Sequence, residues 1–303
     1  MVPFVIIPTK GRAQECRDLI QYLANQTLKP KATIFVGVED SDVEGIQEQP
    51  GFSKIGGIVA RSEFAGGSRQ RNVGIDIVVA MIEQNSQWFI TFFDDDFRPS
   101  VNWLESAANA LNQDPSVSAL TGQVLADGIF GPGIEEAEVK EHLVQNRPDG
   151  KCWAQGDTIR LVEALYGCNM AIRGTVFADA RFDERLPLYS WQEDRDFSFY
   201  AKKFGKVIYH PSPRGVHMGS KRGRNSGLRM GYSQIANIIY LRSKHTISLP
   251  VCFKFLGKAI VANSLKSFSR NPYIDYPGRL RGNLIAFSDI IRGRLKPERI
   301  LAL

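Results

Sequence analysis

The sequence predicts an α/β protein built on a parallel, doubly wound sheet. Two observations carry this. Over the first hundred residues, short apolar runs alternate with segments of helical period, and the links between them are short. Charged residues also gather just past the apolar runs, where the carboxyl ends of parallel strands leave a crevice for ligands. "PFVIIPT" (3–9) is the first strand, ended by Pro8. "RAQECRDLIQYLAN" (12–25) places Cys16, Leu19, Ile20 and Leu23 on one helical face. "KATIFVGV" (31–38) and "GGIVAR" (56–61) are the second and third strands. "GGSRQRNVGIDIVVAMIEQ" (66–84) opens with two glycines and becomes a mostly buried helix, and "QWFITFF" (87–93) is the fourth strand. Three strand ends should then converge on one crevice: Pro8-Thr9-Lys10-Gly11-Arg12, Glu39-Asp40 and Asp94-Asp95-Asp96.

From about 117 the texture changes. "VSALTGQVLA" (117–126) and "DTIRLVEALYGCNMAI" (157–172) read as strands of a mixed region, separated by an acidic segment bounded by Gly and Pro. "WQEDRDFSFYAKKFG" (191–205) reads as a helix with Gly205 as its C′ residue, and "KVIYH" (206–210) as a short strand. From about 225 the chain reads as helical and basic.

Composition narrows the class. The 303 residues suit one large domain, or a domain of roughly 200–250 residues with an appendage. With 43% hydrophobic and 23% charged residues, the chain is that of an ordinary globular protein. Met1 runs straight into a strand-like segment with no basic leader, so no signal peptide is expected. No apolar stretch reaches about 18 residues, so no transmembrane helix is expected either. Cys16, Cys152, Cys168 and Cys252 are scattered without CxxC pairing, which suits a reducing cytoplasm. The net charge of +6 is concentrated in 202–303, from "KRGR" (221–224) through Arg270 to Lys296. Such a tail points to a polyanion, either nucleic acid or an anionic membrane face, and of the two the membrane face is expected.

Four constellations bear on chemistry. Asp94 and Asp96 have D-x-D spacing at a strand end, so both can face one side and hold a hard divalent cation. The alternative is a solvated turn ahead of Pro99. In "GGSRQRNVGI", Gly66 and Gly67 open a helix whose free N–H groups attract anions, while Arg69 and Arg71 oppose the helix dipole. A bound diphosphate would explain these cations; a glycine turn with two solvated arginines is the alternative. In "WQEDRDFS", Glu193, Asp194 and Asp196 suit a first helical turn, or one of them is a general base. Trp191 ahead of them is a sugar-stacking platform or simply core. His217 sits in a Gly-rich, basic stretch after the last strand, either as a structural residue or as the imidazole completing a metal site.

Taken together and in order, "VIIPTKGR", "GGSRQRNVGI", "FFDDDFRP", "GCNMAIRGTVF", "WQEDRDFSFYAKKFGKVIYHP" and "VHMGSKRGRNSG" resemble family 2 glycosyltransferases with the GT-A fold, over residues 3 to about 245. The tail, with "YSQIANIIYLRSKH" and "GRLRGNLIAFSDIIRGRLKPERIL", is similar to that of bacterial enzymes building surface polysaccharides. The resemblance implies a mixed, mainly parallel sheet flanked by helices. It implies a catalytic domain over 1–224, with a nucleotide-binding half (1–100) and an acceptor-binding half (101–224), and a basic helical extension over 225–303.

The implied reaction is inverting transfer of a sugar from a nucleotide-diphosphate-sugar donor to a hydroxyl of a glycan or lipid-linked acceptor. By the same resemblance, Pro8, Thr9 and Arg12 line the nucleotide pocket, and Glu39 stands where an Asp contacts the base. Gly67, Arg71, Asp94 and Asp95 lie on the donor side. Asp96 and His217 hold Mg²⁺ or Mn²⁺, with Asp94 a further candidate ligand. Asp194 is the base, and Trp191 and Glu193 lie on the acceptor side. "VEDSD" and "PTKGR" depart from the family's commoner Val-Asp-Asp-Gly-Ser and Pro-x-Tyr-Asn.

A sugar nucleotidyltransferase would share the sheet and the metal, but would place a Gly-rich loop where "PTKGR" stands. A non-catalytic polyanion binder would explain the tail and not the acids at two separate element ends. In the tail, Lys254 and Lys258 share a helical face, with Phe253, Leu256 and Ile260 on a neighbouring one. This fits a helix in a membrane interface and peripheral attachment to the inner face of the cytoplasmic membrane. Packing on the catalytic domain or on a second subunit is the open alternative.

Overall fold

β1 (Val2–Pro8), β2 (Ala32–Gly37), β3 (Gly57–Arg61) and β4 (Trp88–Phe93) pair in parallel in the order β3-β2-β1-β4. They are the four apolar runs of the first hundred residues. β1, β2 and β4 are apolar without alternation because helices cover both faces of the sheet. Val5 and Ile7 of β1 pack with Leu19 and Leu23 of α1 (Ala13–Ala24) and with Trp103 and Leu104 of α3 (Trp103–Gln113). Phe4 and Ile6 point the other way, toward Ile75 and Val78 of α2 (Gly67–Ala80). The structure is a computed structural model describing residues 1–83, 85–222, 226–268 and 271–303.

Beyond β4 the sheet departs from the doubly wound expectation. β8 (Asn169–Arg173) runs antiparallel to both β4 and β6 (Val117–Asp127). β9 (Lys206–His217) lies parallel to β6, and two short strands run antiparallel to β9: β5 (Phe97–Pro99) at the sheet edge and β7 (Arg160–Leu161). Strands β1–β4, β6 and β9 thus point one way, and the result is a mixed sheet. An edge position suits β5, since Pro99 donates no ladder bond.

Three sequence expectations are corrected here, and one helix is added. "KVIYH" is only the start of β9, whose register against β6 shifts between Val117/Ala119, Thr121/Gln123 and Val124/Ala126. Such bulges bend a strand while it stays paired. His217 is therefore the last residue of a strand, opposite Asp127 and Phe97, and not part of a loop. The acidic segment after β6 contains α4 (Glu136–Gln145), which has a Glu135/Glu138 capping box but only one buried residue, Val139, so it lacks an apolar stripe. The helix opening at Glu193, α5 (Glu193–Ala201), ends four residues before Gly205. Gly205 instead permits a close crossing: a Cβ there would sit 2.3 Å from the Ser116 carbonyl oxygen.

The C-terminal segment forms α6 (Gly227–Ser243), α7 (Leu249–Lys266) and α8 (Tyr276–Ile291). α6 and α8 touch backbone to backbone: a Cβ on Gly231 would meet the Arg279 oxygen at 2.0 Å. Asn263 of α7 donates to Gln234 and Asn283, tying the three helices together in the interior. They also pack on the sheet domain. Trp191 and Phe255 meet at nearly a right angle, and Lys244 bridges Asp183 and Asp196. The expected boundary at 224/225, much of "KRGR", and Arg270 lie outside the described residues. Among the described residues, no helix is long and apolar enough to cross a membrane.

Candidate active site

The ends of β1, β2 and β4 meet as the strand order requires, and most of the cations among the acids belong to the chain itself. Thr9 Oγ1 donates to Asp95 Oδ2 at 2.8 Å, and Arg12 donates to Asp95 Oδ1 at 2.8 Å. Arg12 also lies 3.4 Å from Asp96 and donates to the backbone oxygens of Ser220 and Arg222. Burial opposes the Arg12 charge, but Asp95 and Asp96 outweigh it and hold its pKa above the ordinary value. Burial, together with repulsion from Asp96, pushes Asp95 up to about 6 against the pull of Arg12. Pro8 ends β1 beside this cluster, partly exposed.

Glu39 is largely exposed: Lys10 lies 3.5 Å from it, and its side chain closes a capping box with the Asp42 backbone. The carboxylate that organises its turn is Asp42, which the sequence reading did not single out. Asp42 accepts from Gly11 N–H at 2.6 Å and from the Val38 and Glu39 N–H groups at 2.9 Å each.

The first turn of α2 differs from expectation. Its first two amides are already engaged: Gly67 N–H donates to Leu188 O at 2.9 Å and Ser68 N–H to Ser190 Oγ at 3.1 Å. Both of its arginines are paired with acids, and Arg71 is out of solvent. Arg69 pairs with Glu184 at 3.2 Å. Arg71 is buried and donates to Glu193 Oε1 at 2.5 Å, Asp94 Oδ1 at 3.1 Å and Gly167 O at 3.3 Å. A cation at a helix start is tolerated because two carboxylates meet it. Gly67 thus closes the turn against the 188–190 loop.

Asp194 lies beside this hub. Its Oδ2 accepts from Gly167 N–H at 3.1 Å and its Oδ1 from Arg195 N–H at 2.7 Å. Burial raises its pKa against those two bonds. Glu193 is likewise raised by burial, to about 8. Trp191 is partly buried, with its carbonyl accepting from Asn237 and its ring against Phe255.

Asp94, Asp96 and His217 bring their ligand atoms within 4.8 Å of one another. Asp96 Oδ1 lies 3.4 Å from His217 Nε2, while Ser220 N–H donates to Asp96 Oδ2 at 2.7 Å. His217 Nδ1 lies 3.0 Å from Asp127 Oδ1, and Tyr166 donates to the other Asp127 oxygen at 2.6 Å. With Nδ1 engaged by Asp127, Nε2 is the nitrogen turned toward the two carboxylates. Burial by itself lowers His217, but Asp96 and Asp127 outweigh it and raise it to about 10. A proton on Nε2 and a divalent ion are alternatives at that point. Two carboxylates and an imidazole form a donor set that fits Mn²⁺ well and Mg²⁺ less well. Asp127 and Tyr166 were not found from sequence. The signal available was position: Asp127 ends a strand on the same rim as Asp94.

Residues 4–150 match the family described as Glycosyl transferase family 2. No curated protein matches the chain. Among solved structures, S. aureus TarS (fragment 1–349) shares 18% identity, with 100% of this chain and 83% of that one covered and a TM-score of 0.57. GalNAc-T7, solved with UDP, GalNAc and Mn²⁺, shares 14% identity over 100% of this chain and 56% of its own, with a TM-score of 0.54. A mannosyltransferase, PcManGT from Pyrobaculum calidifontis, solved with GDP-Man and Mn²⁺, shares 13% over 99% and 84%, with a TM-score of 0.51. At these identities the likeness is one of fold. Residues 4–150 thus match glycosyl transferase family 2, and the chain carries the GT-A fold with helices added at its C-terminal end.

Proposed function

We infer that the protein is an inverting glycosyltransferase, moving a sugar from a nucleotide-diphosphate-sugar donor to a hydroxyl of a glycan or lipid-linked acceptor in surface polysaccharide synthesis. One observation carries the reading. The Arg71 guanidinium joins Asp94, part of the Asp94–Asp96–His217 cluster, to Glu193, the neighbour of Asp194. A diphosphate-binding cluster and a candidate base are thereby held one arginine fork apart. The donor class is supported by the family match and by neighbours solved with UDP-GlcNAc and with GDP-Man.

Asp94, Asp96 and His217 hold the divalent ion, Mn²⁺ or Mg²⁺. When bound, such an ion stabilises the charge growing on the departing nucleoside diphosphate. Pro8, Thr9, Arg12 and Glu39 border the nucleotide side, and Thr9 and Arg12 fix Asp95 beneath it. Arg71 holds Asp94 toward the donor. On the acceptor side stand Trp191, Glu193 and Asp194. Asp194 takes the proton from the acceptor hydroxyl as its oxygen attacks the anomeric carbon from the face opposite the diphosphate. A single displacement of this kind inverts the anomeric centre. Burial raises the basicity of Asp194, and the amides of Gly167 and Arg195 fix the plane of its carboxylate. General-base help of this kind is worth roughly 10²–10⁴-fold.

The test is a panel of nucleotide sugars incubated with the protein and Mn²⁺, following the nucleotide product. Slow release of nucleoside diphosphate, abolished by chelator, is expected. Pyrophosphate release instead would identify a nucleotidyltransferase. No release with any donor would leave a binding protein, and full activity in excess chelator would remove the metal from the reading.

A further inference from the structure

α7 presents an apolar stripe to solvent. Leu249, Phe253, Val261 and Leu265 fall on a four-residue spacing broken only by Gly257, and Phe268 follows just past the helix end. They are not half-covered core residues: Phe253 is 65% exposed, Leu265 70% and Phe268 92%. The stripe is not the face expected from the sequence. Leu256 and Ile260 turn inward and pack against the cluster around Tyr232 and Ile235. Lys254 and Lys258 are exposed along one side of the outward stripe.

Contiguous apolar side chains left in water mark a contact surface. Charge selects what covers this one. Residues 247–268 hold three lysines and no acidic residue. A second copy packed antiparallel, by a twofold axis crossing α7, would set Lys254 and Lys258 of one chain against those of the other. An anionic bilayer meets both features at once, with acyl chains for the phenylalanines and leucines and lipid phosphates for the lysines.

We propose that the outward face of α7 docks the protein on an anionic phospholipid bilayer, with Phe253, Val261, Leu265 and Phe268 in the interface and Lys254 and Lys258 at the phosphates. The proposal goes beyond the transferase reading and does not depend on it.

The experiment is flotation of the full-length protein with phosphatidylcholine vesicles, with and without phosphatidylglycerol, at low and high salt. Wild type is expected to float with the phosphatidylglycerol vesicles at low salt and to be released at high salt. Each lysine near such a surface contributes roughly five-fold in partitioning, so Lys254→Glu with Lys258→Glu should lower it by at least about 25-fold. Phe253→Ser with Leu265→Ser should abolish flotation. All four positions are exposed, so both variants should keep the wild-type melting temperature and the same nucleotide-sugar turnover in vesicle-free solution. Wild type remaining in the soluble fraction with anionic vesicles at low salt overturns the proposal. So do both variants floating as well as wild type. A concentration-dependent dimer lost in Phe253→Ser, without vesicle binding, would assign the face to a second copy and equally overturn it.

Discussion

Arg71 shows how a residue that looks misplaced in the sequence finds its reason in three dimensions. It opposes the dipole of α2, yet it is buried between Glu193 and Asp94 and also holds Gly167 O. Removing it would leave two carboxylates without their cation. The residue beside this hub gives the first prediction. Asp194→Asn keeps the shape but cannot accept a proton, so turnover should fall by at least about 10²-fold with nucleotide affinity nearly unchanged. Isothermal titration alongside initial rates checks the split. Because burial raises the Asp194 pKa, the acid limb of the rate profile should lie above the usual carboxylate range. Activity falls below that limb as the base takes up a proton.

A second prediction concerns Asp127. A ligand imidazole depends on the partner of its other nitrogen, and losing such a partner typically costs 10–100-fold in metal affinity. Asp127→Ala should weaken Mn²⁺ binding on that scale, read by electron paramagnetic resonance without substrate. Asp127→Asn retains an acceptor oxygen and should lose less. Equal affinity in all three proteins would make Asp127 purely structural. The acids at strand ends and helix starts were legible because charge at the end of an apolar run is conspicuous. Asp127, Asp42 and Tyr166 were not, because their importance lies in partners that only the tertiary arrangement brings together.

At the scale of elements, local pattern was readable where burial was one-sided or complete. α1 shows its buried stripe as a clean helical period, and β1, β2 and β4 show theirs as unbroken apolar runs. α4 buries only Val139, and β9 contains two prolines, Pro211 and Pro213, so neither carries its usual signature. β9 keeps its pairing through bulges, a tertiary effect invisible to periodicity.

The joint between α5 and α6 yields a pH prediction. Lys244 bridges Asp183 at 2.5 Å and Asp196 at 2.7 Å. Burial would raise Asp183, but its bonds from Lys244 and Tyr240 outweigh burial and hold its pKa below the ordinary value. A carboxyl depressed on folding contributes stability above its unfolded pKa, about 3.9, and that contribution disappears as pH falls through the folded pKa. Lys244→Met should destabilise the protein by about 3–5 kcal/mol near neutral pH, since it leaves two acids without their cation. The gap from wild type should shrink below about pH 4. Denaturant titrations at both pH values measure it; a gap independent of pH would remove Asp183 from the account.

At the scale of the whole molecule, the basic C-terminal helices were legible as helices but not in their relation to the rest. Charge drew attention to a partner outside the chain, whereas the first partner is the chain itself. α6 and α8 meet at glycines, Asn263 joins all three helices, and Arg185 pairs with Glu298 near the end of the chain. Asp289, fully buried, is met by Tyr232, Arg294 and Arg299. Removing residues 245–303 would therefore uncover Tyr232, Ile235 and Ala236 on α6, and would strip Phe255 from Trp191, two residues before Glu193. A tether could be cut without such consequences. The truncated chain should melt well below the intact protein, or aggregate, and should lose turnover even on a soluble acceptor. The double lysine variant on the outer face of α7 should melt and turn over as wild type. Thermal scans and vesicle-free rates on the two proteins separate these roles. A truncated chain as stable and active as the intact one would make the helices an independent appendage. Inward, then, the extension packs on Trp191 close to the candidate base, while outward the apolar face of α7 stays open to a partner.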